Sequence, residues 1–255
     1  MSFWDHFEEL RWLLFRVIAV WFVVCIVVFI NKSFVFNNIF LAPKEGYFIT
    51  NQLFAKFADL LSIDVLRIND SPIQLINIKM GGQFWSHIFI SVVFSIVLMM
   101  PYVLWEIWRF LRPALYKNER KKAGGIVTVC SLLFLCGVLF GYYMVLPLSI
   151  NFLGHYQVSE LVLNQISLWS YINNVASLTL GLGLVFEFPV LVFFLAKMGI
   201  VSPANLKKSR KIVFVIVLIL SAIITPPDVF SQIFVSIPLM ILYEISVYVA
   251  GKMYS

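Results

Sequence analysis

This sequence predicts an all-helical integral membrane protein with six spans, and three observations carry that reading. Hydrophobic residues fill 61% of the 255 positions and only 13% are charged, about half the charged share usual in soluble domains. The apolar residues gather into six runs separated by polar loops, the pattern of a polytopic membrane chain. The basic residues concentrate in alternate loops, as they do when those loops lie on the cytoplasmic side. Residues 1–255 therefore read as a single polytopic membrane domain.

The runs are Trp12 to Ile30, His87 to Trp108, Gly125 to Leu148, Trp169 to Ala196, Ile212 to Ile224 and Val229 to Ala250. The first four have about 19 residues or more, enough to cross a hydrocarbon core of ~30 Å. The fifth is shorter and rises only ~20 Å at 1.5 Å per residue. It ends at Thr225-Pro226-Pro227-Asp228, a sequence that stops one helix and starts another. The fifth and sixth runs thus read as a tight hairpin, with the fifth too short for an ordinary bilayer. Local thinning or burial against other helices accommodates such a mismatch.

Six basic residues lie between the second and third runs, from Arg109 to Lys122, and five between the fourth and fifth, from Lys197 to Lys211. Arg11, Arg16 and Lys252 flank the ends, placing fourteen of the 19 basic residues on one side. The other five (Lys32, Lys44, Lys56, Arg67 and Lys79) fall in the long loop after the first run, where Glu45, Asp59, Asp64 and Asp70 offset most of them. Both termini are expected in the cytoplasm. Topology accounts for the net charge of +6, so no nucleic-acid partner is expected. Within the outer loop, "NQLFAKFADLLSI" carries helical apolar spacing at Leu53, Phe54, Phe57, Leu60 and Leu61, which predicts a short amphipathic helix on the outer face.

Enzyme signatures are absent: no HExxH, no Gly-x-Ser-x-Gly, no P-loop and no dinucleotide fingerprint. No catalytic residue, cofactor or metal site is predicted. His6, His87 and His155 fall on at least two sides of the membrane, and Cys25, Cys130 and Cys136 sit inside apolar runs without ligand spacing. Any energy input must come from a partner or from the membrane potential.

Carboxylates in unusual places carry the remaining signal. Glu187 lies in "GLVFEFPVLVFFLAKMGIV", two residues before Pro189. A charge at the bilayer centre costs about 2.5–3.5 kcal/mol on insertion scales. Glu187 therefore reads either as a neutral group hydrogen-bonded to a neighbouring helix or as a polar spot in a substrate or proton path, beside a bend imposed by Pro189. Glu244, nearer the cytoplasmic end of the sixth run, reads as structural. The N-terminal "MSFWDHFEELRWLLFR" has a capping pattern at Ser2 and Asp5 and an apolar stripe at Phe3, Phe7, Leu10 and Leu14, so it predicts an amphipathic helix on the inner surface that turns into the first span. Its acids Asp5, Glu8 and Glu9 outnumber Arg11, and Glu119 stands inside the basic run "YKNERKK". Such acids are either solvated surface groups or a carboxylate site for a cationic ligand, since a carboxylate holds a guanidinium by bidentate bonds that Lys does not copy. Asp228 reads as an N-cap of the last helix.

Four blocks then resemble one family. "HFEELR", "WRFLRPALYKNER", "FEFPVLVFFLAKMGIVSP" and "ITPPDVFSQIFVSIPLMILYEISV" are similar, in order and from end to end, to TatC, the core component of the twin-arginine protein translocase. Phe7 stands where that family usually has Leu, and Trp12 where a basic residue is common. The first outer loop is longer than is usual there, and Ile73 to Gln83 matches poorly. The resemblance implies six helices in a concave, glove-shaped scaffold with both termini cytoplasmic. It implies a receptor for signal peptides bearing two consecutive arginines, which works in a multi-copy complex with the single-span partners TatA and TatB. That machine moves folded proteins across the bacterial inner membrane on the proton-motive force. By motif, Glu9 and Glu119 correspond to the carboxylates that receive the arginine pair, and Phe110 to an aromatic residue linked to signal-peptide recognition. Glu187 corresponds to a buried Glu of the concave face, Asp228 to an outer acid after Pro-Pro, and Pro43 to the proline of the first outer loop. The rival reading is a proton-coupled small-solute transporter built around Glu187. Such folds often show repeats, and none is visible here.

Overall fold

The computed structural model describes residues 3–63, 67–68, 73–111, 123–159, 161, 164–197, 199–225 and 229–254. Helix α1 spans Phe3–Ile30 without a break. The sequence predicted a surface helix turning into the first span, but the two are one continuous helix. The physical reason is that no Pro or Gly lies between Phe3 and Ile30 to interrupt the backbone ladder. Its 28 residues rise ~42 Å, so it reaches beyond a ~30 Å hydrocarbon core.

After α1 the chain turns through short helical segments at Lys32–Phe34, Val35–Phe40 and Ala42–Lys44 into α2, Ile49–Leu61. Leu53, Phe57, Leu60 and Leu61 are exposed while Thr50, Asn51 and Ala58 are buried. The apolar face of α2 thus points away from the protein, the arrangement of a helix lying in a membrane interface. Helix α3 spans Gly82–Leu111. Helix α4, Ala123–Phe140, continues through a π-helical turn, Gly141–Val145, into α5, Leu146–His155. The wide turn precedes Pro147, which has no N–H to give to Tyr143, the residue four before it. Thr50 of α2 donates its hydroxyl to that Tyr143 carbonyl instead.

Two outer loops meet in a parallel pair, β1 (Leu75–Ile76) beside β2 (Ile166–Ser167), with Leu75 opposite Ile166 and Ile76 opposite Ser167. Ser167 then caps α6, Leu168–Val185, by accepting from Ser170 N–H. Tyr142 and Tyr171 donate to the carbonyls of Ile39 and Phe40 at 2.6 and 2.7 Å. These bonds fasten the first outer loop to the ends of the spans, where its backbone groups would otherwise be buried without partners.

The core centres on α6, whose Ile172, Val175, Leu178 and Leu182 are buried together with Ile90, Val145, Leu146 and Val235. α4 lies close against α6 at two glycines. A Cβ on Gly137 would come within 2.5 Å of the Leu182 carbonyl, and one on Gly183 within 2.8 Å of Phe134 and Val138. Without a hydrophobic drive between helices inside lipid, such close backbone approach supplies the packing energy.

Helix α7, Phe188–Lys197, resumes after a two-residue break, and α8, Pro203–Lys208, leads to α9, Arg210–Ile224, and α10, Val229–Tyr254. Among the described residues, five stretches are long and apolar enough to cross a membrane: Phe7–Ile30, Gly82–Phe110, Gly125–His155, Leu168–Ala196 and Ser231–Lys252. The 15-residue α9 is apolar but rises only ~22 Å, the shortness its sequence predicted. It is held to α10 by Ser221 and Ser236, whose hydroxyls lie 3.0 Å apart, and by Gln232, which donates to the Leu218 carbonyl at 3.1 Å.

Candidate functional site

The N-terminal half of α1 and the C-terminal end of α3 bring acidic and basic groups together. Glu9 is half-buried in α1, and among the described residues its Oε2 is buried with no hydrogen-bond partner. Glu8, one residue earlier, is exposed and pairs with Arg11 at 3.3 Å, a surface contact of small value. Phe110 is half-buried at the inner end of α3. Glu119 lies outside the described residues.

Between Glu9 and the bilayer interior sits a group that sequence reasoning missed. Glu106 of α3 is 1% exposed, and Arg16 of α1 grips it: Nε and Nη2 both donate to Oε2, at 3.1 and 2.9 Å. Tyr102, one turn earlier on α3, donates to Oε1 at 3.2 Å, and Arg109 Nη1 stands 3.7 Å from the same oxygen. A fully buried carboxylate is tolerated only with such partners. The signal was present as two opposite charges embedded in apolar helix, Glu106 in "YVLWEIW" and Arg16 in "LLFRVIAV", but nothing in the linear chain pairs residues ninety positions apart.

Glu187 occupies the break between α6 and α7. Pro189 cannot donate to the ladder, so the helix stops at Val185 and restarts at Phe188, and the Glu187 carbonyl accepts from Val190 and Leu191 at 3.0 and 3.1 Å. The side chain is half-buried. Among the described residues its Oε1 is buried with no hydrogen-bond partner, and the carboxyl lies near the Cys130 thiol of α4. An apolar groove of about 380 Å³ opens beside this break, lined by Ile126, Val129, Pro189, Phe193, Leu242 and Ile245 among others.

Elsewhere, Pro43 is fully buried in the first outer loop. Its carbonyl and that of Glu45 accept from Asn51 Nδ2 at 3.1 and 2.8 Å. Asp228 lies outside the described residues. Glu244, which read as structural, accepts from Arg210 Nη2 at 2.7 Å and so ties α10 to the start of α9. Among the described residues, no three His, Cys, Asp or Glu side chains gather as metal ligands.

A family model for the Sec-independent protein translocase protein, TatC, matches residues 5–238. The chain belongs to the TatC family. It is 36% identical over 252 residues to the Sec-independent protein translocase protein TatC of Blattabacterium sp. subsp. Periplaneta americana, covering 98% of this chain and 95% of that protein. It is 35% identical over 189 residues to TatC of Escherichia coli K12, covering 74% and 73%. Two crystal structures described as the twin arginine translocase receptor TatC share its fold. One has a TM-score of 0.70 and 28% identity, covering 98% of this chain and 100% of that one. The other, obtained in DDM, has a TM-score of 0.73 and 30% identity, covering 95% and 98%. The TatC match takes in Glu9, Glu106, Phe110 and Glu187 alike, so the charged layer between α1 and α3 belongs to the TatC-type part of the chain.

Proposed function

We infer that this chain is the signal-peptide receptor and scaffold of the Sec-independent, twin-arginine translocase, a multi-pass protein of the bacterial inner membrane. Family membership over nearly the whole chain supports the receptor reading and does not favour a small-solute transporter built around Glu187. The chain works with other Tat subunits, which we take to be single-span TatA- and TatB-type proteins in a multi-copy complex. It has no enzymatic step: the proton-motive force supplies the work of moving folded cargo. We take the chain as one polytopic unit of six spans, with α9 as the short fifth span and both termini cytoplasmic.

The observation that carries the site is Glu9, a half-buried carboxylate whose Oε2 is buried and lacks a hydrogen-bond partner at the inner end of α1. Leaving such an oxygen unpaired costs about 1–3 kcal/mol or more, a penalty that an incoming guanidinium removes. Glu9 and Glu119 each receive one arginine of the signal peptide, and Phe110 packs against its apolar part. Glu187 forms the polar floor of the concave face. Pro43 and Asp228 shape the outer face.

Binding of a labelled signal peptide to the detergent-purified protein tests this, with Arg-Arg compared against Lys-Lys. The wild type should prefer Arg-Arg, and the Glu9→Ala/Glu119→Ala double variant should lose that preference. Equal binding of both peptides by folded wild type, with TatB co-expressed, refutes the receptor reading.

A further inference from the structure

Arg16 and Glu9 are seven residues apart on one unbroken helix, two turns that return to the same face. Side chains on a helix lean toward its N-terminus, so Arg16 leans toward Glu9. Cα atoms seven residues apart are separated by ~10.5 Å along the axis, within the combined reach of an extended Arg and a Glu. Arg16 is also 39% exposed at its side chain, so it is not walled in. By position and charge it is a rival to any arginine that a ligand brings to Glu9.

What keeps Arg16 from Glu9 is Glu106. Two guanidinium nitrogens bond to Glu106 Oε2 while Tyr102 and Arg109 face Oε1. Tyr102, Glu106 and Phe110 follow at four-residue spacing, so they share one face of α3. Helix α1 packs lengthwise against α3, although few of its side chains are fully buried. Specific polar contacts join it to α3 at two levels: Arg16 on Glu106 midway along α1, and near its C-terminal end His87, which stacks on Phe29 at 3.9 Å with its Nε2 3.0 Å from the Phe29 carbonyl oxygen. Glu9 meanwhile keeps its buried oxygen unpaired.

We propose that Glu106 sequesters Arg16, keeping Glu9 open for the arginine of a signal peptide. Glu106 is then a positioning and specificity-determining residue of the receptor site, acting through Arg16 rather than by touching the ligand. The inference rests on the receptor reading of Glu9. Its chemistry is competition between two guanidinium groups for one carboxylate. Remove Glu106 and the resident arginine turns to Glu9, where its local concentration exceeds that of any dissolved peptide.

A double-mutant cycle on the detergent-purified protein decides it. Affinity for the Arg-Arg and Lys-Lys signal peptides is measured for wild type, Glu106→Gln, Arg16→Gln, Arg16→Gln/Glu106→Gln and Glu9→Ala, with the thermal midpoint of each. Glu106→Gln should bind the Arg-Arg peptide about tenfold more weakly, roughly the 1.4 kcal/mol that a factor of ten represents. The double variant should return to wild-type affinity because the competitor has gone. A merely structural role predicts that affinity follows the thermal midpoint, so that each variant loses or regains binding only as far as it loses or regains stability, whereas sequestration predicts weak binding by a folded Glu106→Gln. If Glu106→Gln does not fold, Glu106→Asp takes its place, since it keeps a carboxylate in the buried site but draws it back from Arg16. Wild-type Arg-Arg preference in the double variant supports sequestration, and its loss overturns it. Unchanged Arg-Arg affinity in folded Glu106→Gln overturns the inference alone. A wild type with no Arg-Arg preference overturns the receptor reading and the inference with it.

Discussion

Thr50 of α2 donates its hydroxyl to the carbonyl of Tyr143, the residue four before Pro147 in the third span. Proline removes the donor that would have filled that acceptor, and a side chain from the outer loop replaces it. Thr50 is 4% exposed, so water is a poor substitute. Thr50→Val keeps the shape and removes the donor. It should lower stability by about 1–3 kcal/mol, the cost of a buried acceptor left unpaired. Thr50→Ser should retain most of it. Thermal midpoints in detergent check this, and equal midpoints for Val and wild type would show that the carbonyl finds another partner.

Gly137 sets how closely α4 approaches α6. A Cβ there meets the Leu182 carbonyl at 2.5 Å and Phe186 Cβ at 2.8 Å, a backbone atom and the root of a side chain, neither of which yields cheaply. Gly137→Ala should destabilise by about 1–3 kcal/mol as overpacking does. Gly125, where an added Cβ meets nothing within 4 Å, is the control: Gly125→Ala should be neutral or stabilising. Comparable losses at both positions would contradict the close-approach account.

The exposed apolar face of α2 should lie against lipid. A nitroxide on Leu60→Cys, at a position 79% exposed, should be relaxed more by oxygen, which concentrates in the bilayer, than by a water-soluble nickel complex. The reverse ranking in proteoliposomes would put the helix in water and leave its exposed leucines without a solvent that suits them.

Glu187→Ala should insert and fold at least as well as wild type, because it removes a carboxylate from an apolar span. If Glu187 is the polar floor of the concave face, export of a folded twin-arginine substrate should nevertheless fall. Normal export by this variant would leave Glu187 as a structural group at the helix break, near Cys130.

The helices were legible in the chain because membrane insertion is decided locally. Every backbone polar group in lipid must be satisfied within its own helix, so an apolar run long enough to span announces itself, as does the shortness of α9. Pro189 marked the break at Glu187 for the same local reason, and the spacing of Leu53, Phe57 and Leu60 marked α2. The capping pattern at Ser2 and Asp5 and the apolar stripe from Phe3 to Leu14 predict a surface helix that turns into the first span. The backbone, with no breaker, runs straight through instead.

The sequence by itself thus determined an all-helical membrane chain, its break at Glu187 and the acids that could serve a cationic ligand. Only the tertiary structure decided that Arg16 meets Glu106, that Thr50 completes the ladder at Pro147, and that the apolar face of α2 turns outward. Each of these joins residues far apart in the chain. The physical reason is that periodicity and insertion energies report a residue's own segment. Pairing a buried charge or filling an orphaned carbonyl depends on which distant helix packs against it.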